Sequence, residues 1–207
     1  PEVSYNVARH DGGGIIVRET DKIILGDCKV IGNRSVTGAG GGIYIETSTS
    51  YAQFYGSPII KDNKGVVEGQ ANSASNVFFN NAANVVEVIG KLNPVYDEDG
   101  DIEPSIGVYM STANITGEKQ GIFTKDFVKY NGSRDSAANY FTCDNLSYEV
   151  STKVNQEGQL VEAGDFANAW NRATKQSVKS GIQVNIGLNA TFNAANGLFG
   201  TGYGFGF

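Results

Sequence analysis

The chain has 207 residues, a formal net charge of −6 and a pI near 4.8, which excludes a nucleic-acid surface because phosphate recognition needs clustered Lys and Arg. Charged residues make up only 18% and glycine 27 of 207 positions, against average usage of about 25% and ~7%, a mix that favours β-structure with many tight turns. No apolar run is long enough to span a membrane as a helix, and Pro1-Glu2-Val3-Ser4-Tyr5 has neither the charged nor the apolar part of a signal peptide. The sequence starts directly on repeat-like residues and stops in Gly204-Phe205-Gly206-Phe207, so it reads as a segment of something longer.

Three glycines and an apolar triplet, Gly12-Gly13-Gly14-Ile15-Ile16-Val17, return as Gly40-Gly41-Gly42-Ile43-Tyr44-Ile45, with a degenerate third copy at Ser75-Asn76-Val77-Phe78-Phe79. The triplets begin at 15, 43 and 77, and periods of 28 and 34 suit stacked solenoid coils. A second apolar stretch closed by glycine recurs as Ile24-Leu25-Gly26, Phe54-Tyr55-Gly56 and Val88-Ile89-Gly90. A third recurs as Val30-Ile31-Gly32-Asn33 and Ile59-Ile60-Lys61-Asp62-Asn63. Three short strands per coil, with Gly supplying positive φ at corners and Asn tolerating the left-handed conformation, make a triangular coil. Stacking pairs each strand in parallel with its counterpart about 4.8 Å away, so Ile15, Ile43 and Val77 are expected in one inward ladder. Tyr44 and Phe78 alternate with them and are expected to face outward, as a binding row or as packing for loops.

From about 106 to 162 the coil pattern fades into β-rich stretches at Ile106-Gly107-Val108-Tyr109-Met110, Gly121-Ile122-Phe123 and Tyr140 to Val150. This reads as a terminal cap, because an open solenoid end exposes unpaired strand groups and core, and the hairpin-like Lys153 to Leu160 suits that role. After it the period becomes helical. Asp165 is a plausible N-cap, Phe166, Ala169, Trp170, Ala173 and Val178 share one face, Lys175 and Lys179 complement the dipole, and Gly181 ends the helix. Ile182 to Leu188 then alternates with period two, as a strand does.

The acidic run Asp97-Glu98-Asp99-Gly100-Asp101-Ile102-Glu103 holds only a fragment of a calcium-loop ligand scheme and reads as a solvated loop. Asp27, Asp62, Lys29 and Lys61 would be the charges to converge in a groove if the solenoid acted on polysaccharide, but no acid and base set recurs at coil spacing. His10 is the only histidine, so multi-histidine metal sites are ruled out, and no Gly-X-Ser-X-Gly nucleophile elbow occurs. The glycine runs precede strands, whereas a phosphate-binding loop opens a helix. Cys28 and Cys143 are read as two separate thiols, with a disulfide left open. No catalytic, cofactor-binding or metal residue is assigned, and no cofactor is expected.

The coil at Gly40 to Ile45, the strand and corner Pro58-Ile59-Ile60-Lys61-Asp62-Asn63, Asn76-Val77-Phe78-Phe79, and the closing Tyr140-Phe141-Thr142-Cys143-Asp144-Asn145 with Tyr148-Glu149-Val150 resemble large, adhesin-like surface proteins of Gram-positive, gut-type bacteria that carry right-handed parallel β-helix repeats. Residues 165–207 are similar to the capping helix and first strands of such proteins, with Trp170 in the helix. Tyr51-Ala52-Gln53 departs from the Thr-rich strand usual in them. The resemblance implies an all-β, right-handed parallel β-helix over 1–105, its C-terminal β cap over 106–162, and the capping helix and first strands of a next module over 163–207. It also implies an extracellular, cell-surface structural or adhesive module, one unit of a long fibre or a head-to-tail filament. Its partners would be other copies or neighbouring modules, and host or bacterial surface glycans. A carbohydrate-active lyase or glycoside hydrolase and a glycan-binding module are the alternatives, the latter with Tyr44 and Phe78 leading.

Overall fold

The computed structural model describes residues 1–81, 83–116 and 120–163. The chain divides into two units, Pro1–Glu162 and Ala163–Phe207. The helix expected from Asp165, its anchors Phe166 and Trp170, and the strand expected at 182–188 lie outside the described residues.

The first unit is a parallel β-solenoid of about four turns. Coil 1 comprises Glu2–Ser4, Val7–Ala8, Ile15–Val17 and Lys22–Leu25, and coil 2 comprises Lys29–Ile31, Arg34–Ser35, Ile43–Ile45 and Tyr51–Gly56. Coil 3 follows with Ile59–Lys61, Lys64–Val67, Val77–Phe79 and Val86–Leu92, and coil 4 with Ile106–Met110 and Thr124–Lys125. The first strands of coils 1–3 stack into one face and the glycine-led strands into a second, the two joined through Ile106–Met110, and the last strands into a third; the short second strands add a row of their own, so these coils have four strands where the sequence pattern suggested three.

Register follows the inward side chains. On the first face Val3, Val30, Ile60, Ile106 and Phe141 stand in line. On the second, Ile15, Ile43, Val77, Val108 and Cys143 do so, as the repeat predicts for its first three members. Ile43, Ile60, Val77, Phe54, Val86 and Val88 have no accessible surface, and each side chain of this kind contributes roughly 1.5–3 kcal/mol when fully buried.

On the third face, Leu25 lies beside Phe54 and Ile24 beside Gln53, one residue away from the match suggested by the two glycines. Gly56 is a left-handed corner at φ 69. Gly26 instead makes room for a neighbour, since a Cβ there would lie 2.3 Å from the Tyr55 ring. Equal letters therefore serve unequal positions.

The parallel stack also continues past residue 105. Ile106–Met110 pairs with coil 3 on one side and with Phe141–Cys143 on the other. Beyond it, Tyr148–Val150 and Leu160–Glu162 form an antiparallel hairpin, and Phe123, Phe127, Phe141, Tyr140 and Leu160 extend the buried core to that end. Two excursions leave the coils. Gln70–Ala74 folds back antiparallel on the coil 3 strand Lys64–Val67, and Val95–Tyr96 pairs antiparallel with Ile102–Glu103.

Candidate functional site: an amide ladder and its two ends

The corners between the first and second faces are built alike. Tyr5, Gly32 and Asp62 adopt φ of 54, 65 and 62, and each is followed by an asparagine. The left-handed residue swings the next side chain inward, where its amide can stack on that of the adjacent coil. Asn6 donates from its backbone N and its Nδ2 to Asn33 Oδ1 at 3.0 and 2.9 Å. Asn33 does the same to Asn63 Oδ1 at 2.9 and 3.0 Å, and Asn63 to Asn76 Oδ1 at 3.0 and 2.9 Å. Asn76 finally donates from N and Nδ2 to the two carboxylate oxygens of Asp144, at 2.7 Å each.

The ladder is also tied to the backbone and to the glycine triplets. Asn33 Nδ2 donates to Val3 O at 2.8 Å and Asn63 Nδ2 to Val30 O at 2.8 Å, so each amide bridges two coils. A Cβ on Gly14 would meet the Asn33 amide at 3.0 Å, one on Gly42 the Asn63 amide at 2.8 Å, and one on Gly107 the Asn76 amide at 2.2 Å. The third glycine of each triplet thus leaves the space that the ladder fills. The second has a different constraint, since a Cβ on Gly41 would lie 2.1 Å from Lys64 O.

Direction is a property of this ladder. In the amide-to-amide bonds each asparagine donates toward the C-terminal end, and Asn33, Asn63 and Asn76 accept from the N-terminal side. The ionised Asp144 side chain has acceptors alone, so it terminates the series. Burial pushes its carboxyl up to about 6, against the hydrogen bonds from Asn76 and the charge of Lys64, which favour the ionised form.

The residues singled out from sequence separate in space. Tyr44, Phe78 and Tyr109 form the outward row of the second face, with ring centroids 5.6 and 5.1 Å apart and planes within 9° and 5° of parallel. They are stacked on one another, and Tyr44 and Tyr109 are only 8% and 3% exposed, so of the two expected roles, binding row or packing, the geometry favours packing. Burial and the neighbouring Glu68 carboxylate push the Tyr109 phenol above its ordinary value.

Asp27 Oδ1 accepts from Ser57 N at 2.8 Å. With Lys29 it lines an open hollow of about 370 Å³ that also takes in Cys28 and Ser57. Lys61 instead pairs with Glu103 at 3.4 Å, and Asp62 is a corner residue, so the four charges do not converge. His10 Nδ1 lies 3.4 Å from Thr37 Oγ1, while its neighbour Asp11 accepts from Ala39 N at 2.7 Å. Cys28 and Cys143 are both free thiols, and burial raises both, Cys143 to about 12.

The acidic run is the turn of the Val95–Tyr96 and Ile102–Glu103 hairpin. Asp97 Oδ1 accepts from Asp99 N and Asp101 N at 3.1 and 3.0 Å, a local Asx arrangement. Among the described residues no group of three or more His, Cys, Asp or Glu side chains could hold a metal ion. A second hollow, of about 350 Å³, opens on the third face between Ser48, Tyr51, Glu87 and Lys125. There Lys125 Nζ meets Glu87 Oε1 at 2.8 Å and Gln53 donates to the other carboxylate oxygen. These bonds hold the Glu87 carboxyl below its usual range.

The cap carries its own polar cluster. Asp135 accepts from Tyr140 Oη at 2.6 Å, Asn139 at 2.9 Å and Asn131 at 3.2 Å. Burial would raise its carboxyl, and these bonds together keep it below the ordinary value. Asn131 also exchanges hydrogen bonds with the backbone of Leu92, locking the short helix Phe127–Asn131 to the third face. The sequence pattern marks the corner asparagines but not their connection, nor Asp144 as its end. The available signal is the recurrence of asparagine directly after a corner residue at 6, 33 and 63. Compared with known proteins, the chain matches no family model, no curated protein sequence and no solved structure.

Proposed function

We propose that the chain is an extracellular structural or adhesive module, one unit of a long fibrous surface protein or head-to-tail filament. What supports this reading most is the asymmetry of the solenoid among the described residues. One end is closed by Asp144 and the Tyr148–Val150 hairpin, and the other presents strands paired on one side only. Side-chain amides tie coil to coil, as in a spacer that resists unfolding. The cell-surface location follows the resemblance of the glycine-led coils and of Tyr140 to Val150 to adhesin-like β-helix proteins.

Negative-stain electron microscopy of the purified 1–207 chain over a concentration series tests the assembled form. Regular filaments would support head-to-tail assembly of copies, and isolated short rods a module that works within a longer polypeptide. Isolated short rods at every concentration would overturn self-assembly, and cleavage of a polysaccharide by the purified chain would overturn the non-enzymatic reading altogether.

Glycan binding is a second reading, favoured by the hollow at Tyr51, Glu87 and Lys125, where an aromatic ring borders a paired acid and base. Glycan-array binding lost on Tyr51→Ala would support it, and an array without signal would end it.

A further inference from the structure

Coil 1 carries the open end of the solenoid. Among the described residues Glu2–Ser4, Val7–Ala8, Ile15–Val17 and Lys22–Leu25 each pair on one side alone. Tyr5 N donates to Ile31 O and Ile15 N to Gly42 O. Alternation along a parallel strand then turns the N–H groups of Ser4 and Ile16 to the open side. The inward positions Val3, Ile15, Ile23 and Leu25 are only partly buried, whereas their coil 2 counterparts Val30, Ile43, Ala52 and Phe54 are 1% exposed or less. Tyr5 and Val7 are 76% and 68% exposed.

An unpaired edge alone does not say what covers it; the ladder does. Both donors of the Asn6 amide are engaged, to Asn33 Oδ1 and Ser4 O, and Asn6 Oδ1 is the rung's free acceptor among the described residues. In each later rung that oxygen receives two N–H donors, one backbone and one side-chain. The complementary surface is therefore a parallel strand followed by a corner asparagine. The far end of the same body cannot supply it, because Asp144 closes the ladder with acceptors and two such ends would set oxygen against oxygen.

We propose that the coil 1 edge is an acceptor surface for one further parallel β-coil, contributed by a neighbouring fibre module and carrying a corner asparagine whose N and Nδ2 both donate to Asn6 Oδ1. The proposal rests on the fibre reading above. It differs from simple edge pairing in requiring a particular donor at a particular corner.

The register supplies a direct test. Glu2 pairs with Lys29 and Lys29 with Ile59, so Pro1 occupies the position of Pro58. A second copy of residues 28–57 joined ahead of Pro1 in the full chain would then place its own Asn33 over Asn6. Thermal unfolding and amide hydrogen exchange are compared for the unaltered chain, the extended chain, and the extended chain with Asn33→Asp in the added copy only.

The extended chain should melt higher and slow exchange at Ser4 and Ile16 by roughly tenfold or more, and the Asp version should lose both effects. Equal gains with Asn and Asp would overturn the amide requirement, and no gain with either would overturn the acceptor surface. If sedimentation shows that the unaltered chain self-associates and the added coil abolishes this, a second copy fills the edge and the proposed occupant is wrong. Isolated rods in the microscope would remove only the self-assembled filament, and cleavage of a polysaccharide would remove the fibre reading itself, neither touching these comparisons, so the failures are separable.

Discussion

Asp144 takes both donors of Asn76, the backbone N–H and the side-chain amide, one on each carboxylate oxygen at 2.7 Å. Elsewhere in the ladder a single amide oxygen does this work, so a carboxylate is not needed for the hydrogen bonds. Its distinction is that the ionised side chain has nothing to donate, while its backbone N–H is taken by Val108 O, which suits the last rung. Part of the residue reaches solvent, yet burial still raises its carboxyl to about 6.

The pH dependence follows from that value. Below about pH 4 the carboxyl is neutral whether the chain is folded or not. Between there and about pH 6 the native state holds a proton that the unfolded chain has released, so stability falls as pH rises. The group should cost the native state about 2 kcal/mol at neutral pH relative to pH 4. Asp144→Asn keeps an acceptor for Asn76 and removes the charge. Denaturant melts of both chains from pH 4 to 7 should show their stabilities converging on the acid side and the variant ahead at pH 7. A constant difference across that range would contradict the assignment.

Asn63, like Asn33, is a rung with no accessible surface. Its Oδ1 receives Asn33 N and Nδ2, and its Nδ2 reaches Val30 O and Asn76 Oδ1. Asn63→Ala leaves these groups buried without partners and is expected to destabilise the fold by about 3 kcal/mol. Asn6→Ala, at the open end where water replaces the lost bonds, should cost about 1 kcal/mol or less. Equilibrium urea unfolding measures both, and equal losses would show that the ladder does not contribute through burial.

The coils were legible because two constraints repeat in sequence: small residues where coils approach, and apolar residues where they face in. Ile15, Ile43 and Val77 fall in one ladder on that basis. The one-residue slip at Gly26 arose because glycine marks a left-handed corner at one site and room for the Tyr55 ring at another. The burial of Tyr44 was hidden because strand alternation separates inner from outer faces without saying what packs along the outer one. Asp144 was illegible for a related reason. Its partner Asn76 is 68 residues away, and the last rung of a ladder differs in residue type from those that define the repeat.

The two kinds of glycine predict opposite sensitivities. Gly41 stands where a Cβ would meet Lys64 O at 2.1 Å, so Gly41→Ala must push coil 2 from coil 3 and is expected to cost about 3 kcal/mol or more. Gly69 has φ 80 with nothing within 4 Å of an added Cβ, so Gly69→Ala meets only backbone strain of about 1 kcal/mol. Melting temperatures should fall further for Gly41→Ala than for Gly69→Ala. A Gly69→Ala chain as unstable as Gly41→Ala would mean that steric contact between coils is not what the triplets serve.

Phe78 sits between Tyr44 and Tyr109 in the closed aromatic row. If the row is there to bind glycans, Phe78→Leu should weaken binding while leaving the fold intact. If it packs the outer side of the second face, the same change removes two stacked contacts, each worth about 0.5–1.5 kcal/mol beyond area. We expect the latter, a loss of about 1–2 kcal/mol together with a shifted tyrosine near-ultraviolet signal, and no change on a glycan array. Undiminished stability with lost glycan binding would reopen the row as a recognition surface and displace the hollow beside Tyr51 from that role.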